Sequence, residues 1–147
     1  MEKDFELLPH TADIKIRVYG KTLKEFFRNA VIGMFQVIGP KAPGCKKQND
    51  RVICDHLPEH HDIKLDAPDL DALLVDFLSE ALYISDVNDE AYLDAEIHEV
   101  SDTLIHATVR GVKVQGFEVV EIKAVTYHEM HIEKIDGIWQ SNIVFDI

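Results

Sequence analysis

Apolar positions along the chain follow two different periods, and the changes between them mark out helices and strands. Ile14, Ile16 and Val18 alternate with Lys15, Arg17 and Tyr19, the period of two expected of a half-buried strand, and Gly20 ends it. Thr22 followed by Glu25 is a capping box, in which each side chain satisfies a free backbone N–H at a helix start. Behind it Leu23, Phe26, Phe27, Ala30, Val31, Met34, Phe35 and Ile38 fall at helical spacing and make one wide apolar face, which Gly39-Pro40 stops. Ala67-Pro68-Asp69 opens a second helix, with Asp69 and Asp71 near its positive N-terminal end and Leu70, Leu73, Leu74, Phe77, Leu78, Ala81 and Leu82 as its core stripe. Asp76 and Glu80, four apart on that helix, share a face where they repel mildly or meet a cation.

After about residue 90 the period returns to two. Tyr92 to Val100, Thr103 to Arg110 and Phe117 to His128 read as extended, with Gly111 and Gly116 as punctuation. Met130 to Ile135 and Ile138 to Phe145 flank Asp136-Gly137, a pair suited to the positive-φ positions of a tight hairpin turn. Residues 40–61 carry Pro, Gly, Lys, Asn, Asp and His around a short apolar patch at Val52-Ile53, and read as an irregular excursion with at most one short strand. Ile63 and Leu65 suggest another short strand. Two amphipathic helices on a mainly antiparallel sheet of about six strands predict an α+β fold, a two-layer sandwich forming one domain over 1–147.

Composition narrows the function classes. A chain of 147 residues with 46% hydrophobic and 29% charged positions has room for one sizeable core. No apolar run approaches the ~20 residues that a membrane helix needs. Met1-Glu2-Lys3-Asp4 lacks the basic region and apolar stretch of a signal peptide, so the cytoplasm is the expected location. With 15 basic against 27 acidic residues, the formal charge is −12. That balance disfavours direct nucleic-acid binding, whose affinity comes from Lys and Arg displacing counterions. It suits contact with cations or with the basic surface of a partner, and it equally serves solubility alone. Cys45 and Cys54 are the only cysteines, and reduced thiols are the expectation.

Four places carry candidate chemistry. Pro9-His10-Thr11-Ala12-Asp13 precedes a strand, and its bland reading is a turn in which Asp13 bonds a nearby backbone N–H. At Val144-Phe145-Asp146-Ile147, Asp146 and an α-carboxylate on Ile147 with nearby carbonyl oxygens make a hard-oxygen set of the kind Mg²⁺ or Ca²⁺ prefers; a frayed, solvated terminus is the alternative. In the third place, alternation puts Glu121, Lys123, Val125 and Tyr127 on one strand face and Ile122, Ala124, Thr126 and His128 on the other. Lys123 is there either a partner-contacting cation or a solvated one, and His128 and His131 point apart. The fourth, Cys45…Cys54-Asp55-His56…His60-His61, has zinc-type ligands without the close Cys pair of a structural zinc site, so a loop is the better reading. No nucleophile elbow, phosphate-cradling glycine loop or dinucleotide fingerprint is present, which argues against a self-contained enzyme.

Taken together these segments resemble the archease family. His10-Thr11-Ala12-Asp13 stands where that family carries its HTAD signature, followed by a strand, Gly20 and a helix opened by Thr22-Leu23. Residues 73–83, LLVDFLSEALY, resemble its second-helix motif; residues 122–128, IKAVTYH, resemble its most recognisable strand; and Asp146-Ile147 matches its closing pair. Only the stretch from Gly39 to Asp62 has no match. The resemblance implies a non-catalytic protein that assists an RtcB-type tRNA-splicing ligase, promoting its GTP-dependent guanylylation and multiple turnover, with RNA met only through the ligase. It implies a divalent-metal site at Asp13 and Asp146, with Ile147 beside it, and an activating role for Lys123, with His10 as a further contact. A general chaperone or scaffold for RNA-modifying enzymes is the rival reading, and a metal-dependent hydrolase using Asp13, Asp146 and His128 a more distant one.

Overall fold

The first helix begins where the capping box sets it. In the computed structural model, which describes residues 3–8, 13–118 and 121–147, α1 spans Leu23–Ile38 and the Thr22 hydroxyl accepts from the Glu25 N–H at 3.1 Å. The Glu25 carboxylate reaches back beyond Thr22 and accepts from the Lys21 N–H at 3.2 Å. Phe26, Phe27, Ala30, Val31, Met34, Phe35 and Ile38 are buried, the stripe expected from their spacing. The second helix, α2 (Leu70–Asn88), is capped by Asp69, whose carboxylate accepts from the Ala72 N–H at 2.8 Å. Leu73, Leu74, Phe77, Leu78 and Ala81 are its buried face.

The strands divide into two main sheets rather than the single sheet of about six strands expected. The first joins β1 (Phe5–Leu8), β2 (Ile14–Gly20), β12 (Ile138–Asp146) and β10 (Ala124–Thr126) in that order, with β11 (Glu133–Ile135) also paired to β12. The second has the order β6 (Glu59–Asp66), β8 (Leu104–Lys113), β7 (Glu90–Val100). Two short pairs complete the set, β3 (Pro40–Lys41) with β9 (Gly116–Phe117), and β4 (Cys45–Gln48) with β5 (Arg51–Cys54). Every pairing among the described residues is antiparallel. The two main sheets do not share a ladder because α1 spans the space between them, packing on β2 and on β7, while α2 packs on β6, β7, β8 and β10. The core lies between these helices and the inner sheet faces. No helix among the described residues is long and apolar enough to cross a membrane.

Gly20 makes the β2–α1 corner sterically possible. A Cβ there would lie 2.3 Å from the Phe26 nitrogen, so only glycine lets the strand end meet the helix start. The Asp136-Gly137 turn forms as expected, with φ of 51° and 80°, and places Ile135 opposite Ile138.

Three sequence expectations need correction. Residues 40–61 are not irregular: β4 and β5 form a hairpin that turns through Asn49 and Asp50, and β6 already starts at Glu59. Lys46, Lys47 and Gln48 are all exposed, so no apolar alternation announced the strand. The cysteines are not free thiols, because Cys45 and Cys54 face each other across that hairpin and form a disulfide. Finally, the long strand expected from Phe117 to His128 is reduced to β9 and β10. Ile122 and Val125 are both buried although strict alternation would put them on opposite faces, so the chain leaves the strand path between them.

A buried charge anchors the end of α2. Glu90 is 1% exposed; its carboxylate accepts from the Tyr92 hydroxyl at 2.7 Å and lies 2.7 Å from His61 Nε2 and 3.0 Å from Lys113 Nζ. Burial pushes this carboxyl upward, but the hydrogen bonds from Tyr92, Lys113 and His61 outweigh it and hold the group at about 2. A carboxyl held below its usual 4.5 stabilises the fold fully above that pH and loses its contribution as pH falls toward 2. Glu90→Ala should therefore lower the unfolding free energy at pH 7 by about 3 kcal/mol in urea titrations, since it removes a buried carboxylate to which Tyr92, His61 and Lys113 are bonded. Glu90→Gln should flatten the acid limb of the stability curve between those two pH values. Replacing both Cys45 and Cys54 by serine should cost about 2 kcal/mol, the scale for a loop as short as this nine-residue separation.

Candidate functional site

The pairing of β2 with β12 decides where the chemistry-bearing residues meet. Its ladder runs from Trp139 opposite Gly20 to Phe145 opposite Ile14. The register ends there: Asp13 lies in a bend just before β2, and Asp146 closes β12 just after its last pair with β2. Cross-strand partners share a sheet face. Ile16 with Ile143 and Ile14 with Phe145 line the core side, whereas Lys15 with Val144 and Arg17 with Asn142 lie on the outer side. Alternation along β12 puts Asp146 on the outer side. Asp146 is exposed and Asp13 half-buried.

The other edge of β12 brings in the third motif. Ala124 pairs with Asp146, and the Lys123 N–H donates to the Asp146 carbonyl at 2.7 Å. Lys123 is exposed. Asp13, Lys123, Asp146 and Ile147, drawn from three distant stretches of sequence, thus collect at one end of the five-stranded sheet. His10 lies outside the described residues.

Two polar contacts brace this end. Lys15 Nζ donates to both Glu129 carboxylate oxygens, at 3.0 and 2.8 Å, and Arg17 Nε donates to Asn142 Oδ1 at 2.9 Å. The hydrogen bond from Lys15 draws the Glu129 carboxyl below its usual range. Glu129 escaped sequence reasoning because its positive φ of 60° sits in a turn with no glycine to signal it. The Glu90 network was missed for a similar reason, since its partners come from three different strands.

The remaining candidates separate. His128 and His131 are exposed and stand beside different carboxylates, Glu129 and Glu133. In the Cys/His segment the thiols are joined to each other, His61 is held by Glu90, and His60 is exposed. Among the described residues no three His, Cys, Asp or Glu side chains are gathered to hold a metal ion. At this end of the sheet Asp13 and Asp146 flank the last β2–β12 pair, and the Asp146 carbonyl accepts from the Lys123 N–H.

Two helices packed on antiparallel sheets define a small α+β domain class. Residues 5–147 match the archease protein family (MTH1598/TM1083). Protein archease of Methanosarcina mazei is 37% identical over 155 residues, covering 99% of this chain and 97% of that protein. The Pyrococcus abyssi protein archease is 34% identical, covering 99% of each. The chain belongs to the archease family. The solution structure of Methanobacterium thermoautotrophicum protein 1598 superposes with a TM-score of 0.70 at 29% identity, over 98% of this chain and 99% of that one. A Thermotoga maritima archease, described as a possible chaperone, shares the fold at a TM-score of 0.61, 20% identity and coverage of 100% of this chain and 98% of that one.

Because Lys123 joins the sheet through its main chain and leaves its side chain in solvent, Lys123→Ala should change stability by no more than about 0.5 kcal/mol in thermal or urea unfolding. A larger loss would make the side chain structural.

Proposed function

We propose that this protein is a non-catalytic cytoplasmic activator of an RtcB-type RNA ligase, and that Asp13 and Asp146 form its metal-binding tip. The observation that supports the reading is the β2–β12 register, whose last pair, Phe145 with Ile14, directly adjoins both aspartates in sequence. Two carboxylates flanking the end of one ladder, with the main-chain oxygen of Ile147 beside them in sequence, suit a hard cation such as Ca²⁺ or Mg²⁺, which takes oxygen donors and tolerates water in its remaining positions. Such a cation, when bound, neutralises phosphate charge, the main requirement of phosphoryl transfer.

The residues around the tip have separate tasks in this reading. Asp13 and Asp146 hold the cation. Lys123, fixed beside Asp146 by its own N–H, presents an ammonium toward the ligase or its nucleotide. His10 belongs to the same signature and is assigned to ligase contact. The Lys15–Glu129 pair and the Arg17–Asn142 bond hold the outer face in shape. The acidic body, at −12, favours the basic surface with which such a ligase holds RNA, so association should weaken with salt.

The test is ligase guanylylation with GTP and Mg²⁺ or Mn²⁺, with and without this protein. Wild type should accelerate it; Asp13→Ala, Asp146→Ala and Lys123→Ala should each lose most of that stimulation while remaining folded. Full stimulation by both aspartate variants sinks the metal tip. Suppression of aggregation of unrelated proteins, with no effect on the ligase, would favour the general-chaperone reading instead.

A further inference from the structure

Beside the tip lies a groove of about 1010 Å³ that neither the metal-site reading nor the fold requires. One wall is the second half of α2, and the opposite wall is formed by Val114 and Gln115 just after β8, by β9 and by residues 121–124. Its apolar surface includes Leu82, Phe117 and Ile122. Tyr83, also on the wall, is 63% exposed, and Val87 one turn further along the same helix is 61% exposed. The groove reaches the tip directly, because Lys123 and Ala124 line it and Ala124 is the ladder partner of Asp146.

The electrostatics of the groove have one sign over most of its length. Asp86, Asp89 and Glu121 line it, against Lys123 as the one cation of the lining. Asp86 and Asp89 stand at the C-terminal end of α2, whose last turn contains no basic residue of its own. The negative end of the helix dipole therefore adds to their charge rather than being offset within the helix. Lys113 donates to the Asn88 carbonyl at 3.0 Å and is also engaged by Glu90. Apolar surface beside carboxylates at a helix C-terminus complements a side chain with an aliphatic stem and a cationic head.

We infer that this groove is a second docking surface for the protein that the tip engages, and that it receives a segment of that partner carrying lysine or arginine. This rests on the proposed function, since the partner is the ligase activated at the tip. Charge complementarity commits the groove to a cationic segment, and continuity through Lys123 and Ala124 commits it to the same partner. The tip and the groove then act as two points of attachment: the groove contributes affinity and orientation, and the tip contributes activation.

The experiment measures binding of the purified RtcB-type ligase to the full-length protein at two salt concentrations, in parallel with stimulation of guanylylation at saturating protein. Asp86→Arg should weaken binding roughly tenfold and flatten its salt dependence, and Tyr83→Ala should weaken it without altering the salt dependence. Both should retain full stimulation once saturated. Asp102→Arg makes the same charge change at an exposed loop position away from the groove and should bind as wild type. The groove assignment is overturned if Asp86→Arg and Tyr83→Ala bind like wild type, or if Asp102→Arg weakens binding as much as Asp86→Arg. Loss of stimulation in Asp13→Ala together with unchanged binding in Asp86→Arg leaves the tip standing and removes the groove. A wild-type protein that forms no ligase complex removes both.

Discussion

Seven consecutive pairs, from Trp139 opposite Gly20 to Phe145 opposite Ile14, join β2 to β12, and the rest of the molecule is arranged around that ladder. Its inner face supplies Ile16, Val18, Ile143 and Phe145 to the core against α1. Its outer edges recruit β1 on one side and β10 on the other. A slip of one residue would turn the apolar set outward, so burial fixes the register strongly. The same register ends beside Asp13 and Asp146, and Lys123 is tied to Asp146 through the backbone. Stability and the proposed function therefore depend on one pairing, with the core face enforcing the geometry of the wet face.

Much of this was legible locally. The Thr22–Glu25 capping box, the two helical stripes and the Asp136-Gly137 turn are short-range signals, and each formed where the residues placed it. The β4–β5 hairpin was hidden because its strands are short and mostly solvent-facing, with Val52 the one buried anchor, so they bury too little apolar surface to leave a periodic trace. Its disulfide was hidden because redox context, not spacing, guided the reading of Cys45 and Cys54. The division into two sheets follows from α1 packing on both β2 and β7, a tertiary arrangement with no local signature.

The candidate site shows the same limit more sharply. Asp13, Lys123 and Asp146 could each be singled out as members of motifs, but their proximity depends on two antiparallel ladders that join distant parts of the chain. His-rich composition pointed toward residues 45–61, where the thiols bond each other and His61 serves the buried Glu90. The proposed tip at Asp13 and Asp146 is less conspicuous in composition. The acidic groove was not legible at all, since α2, residues 114–117 and residues 121–124 contribute to it from separate stretches of chain.

The central claim is that Asp13 and Asp146 act together as one cation site, and paramagnetic broadening by Mn²⁺ of amide signals in the isotopically labelled protein tests it most directly. At low Mn²⁺ the account predicts that the amides of Asp13, Ile14, Lys123, Ala124, Asp146 and Ile147 broaden first, and that Asp146→Ala abolishes this selectivity. Broadening that begins instead along the acidic surface of α2 or in residues 40–61, and that persists in Asp146→Ala, would contradict it.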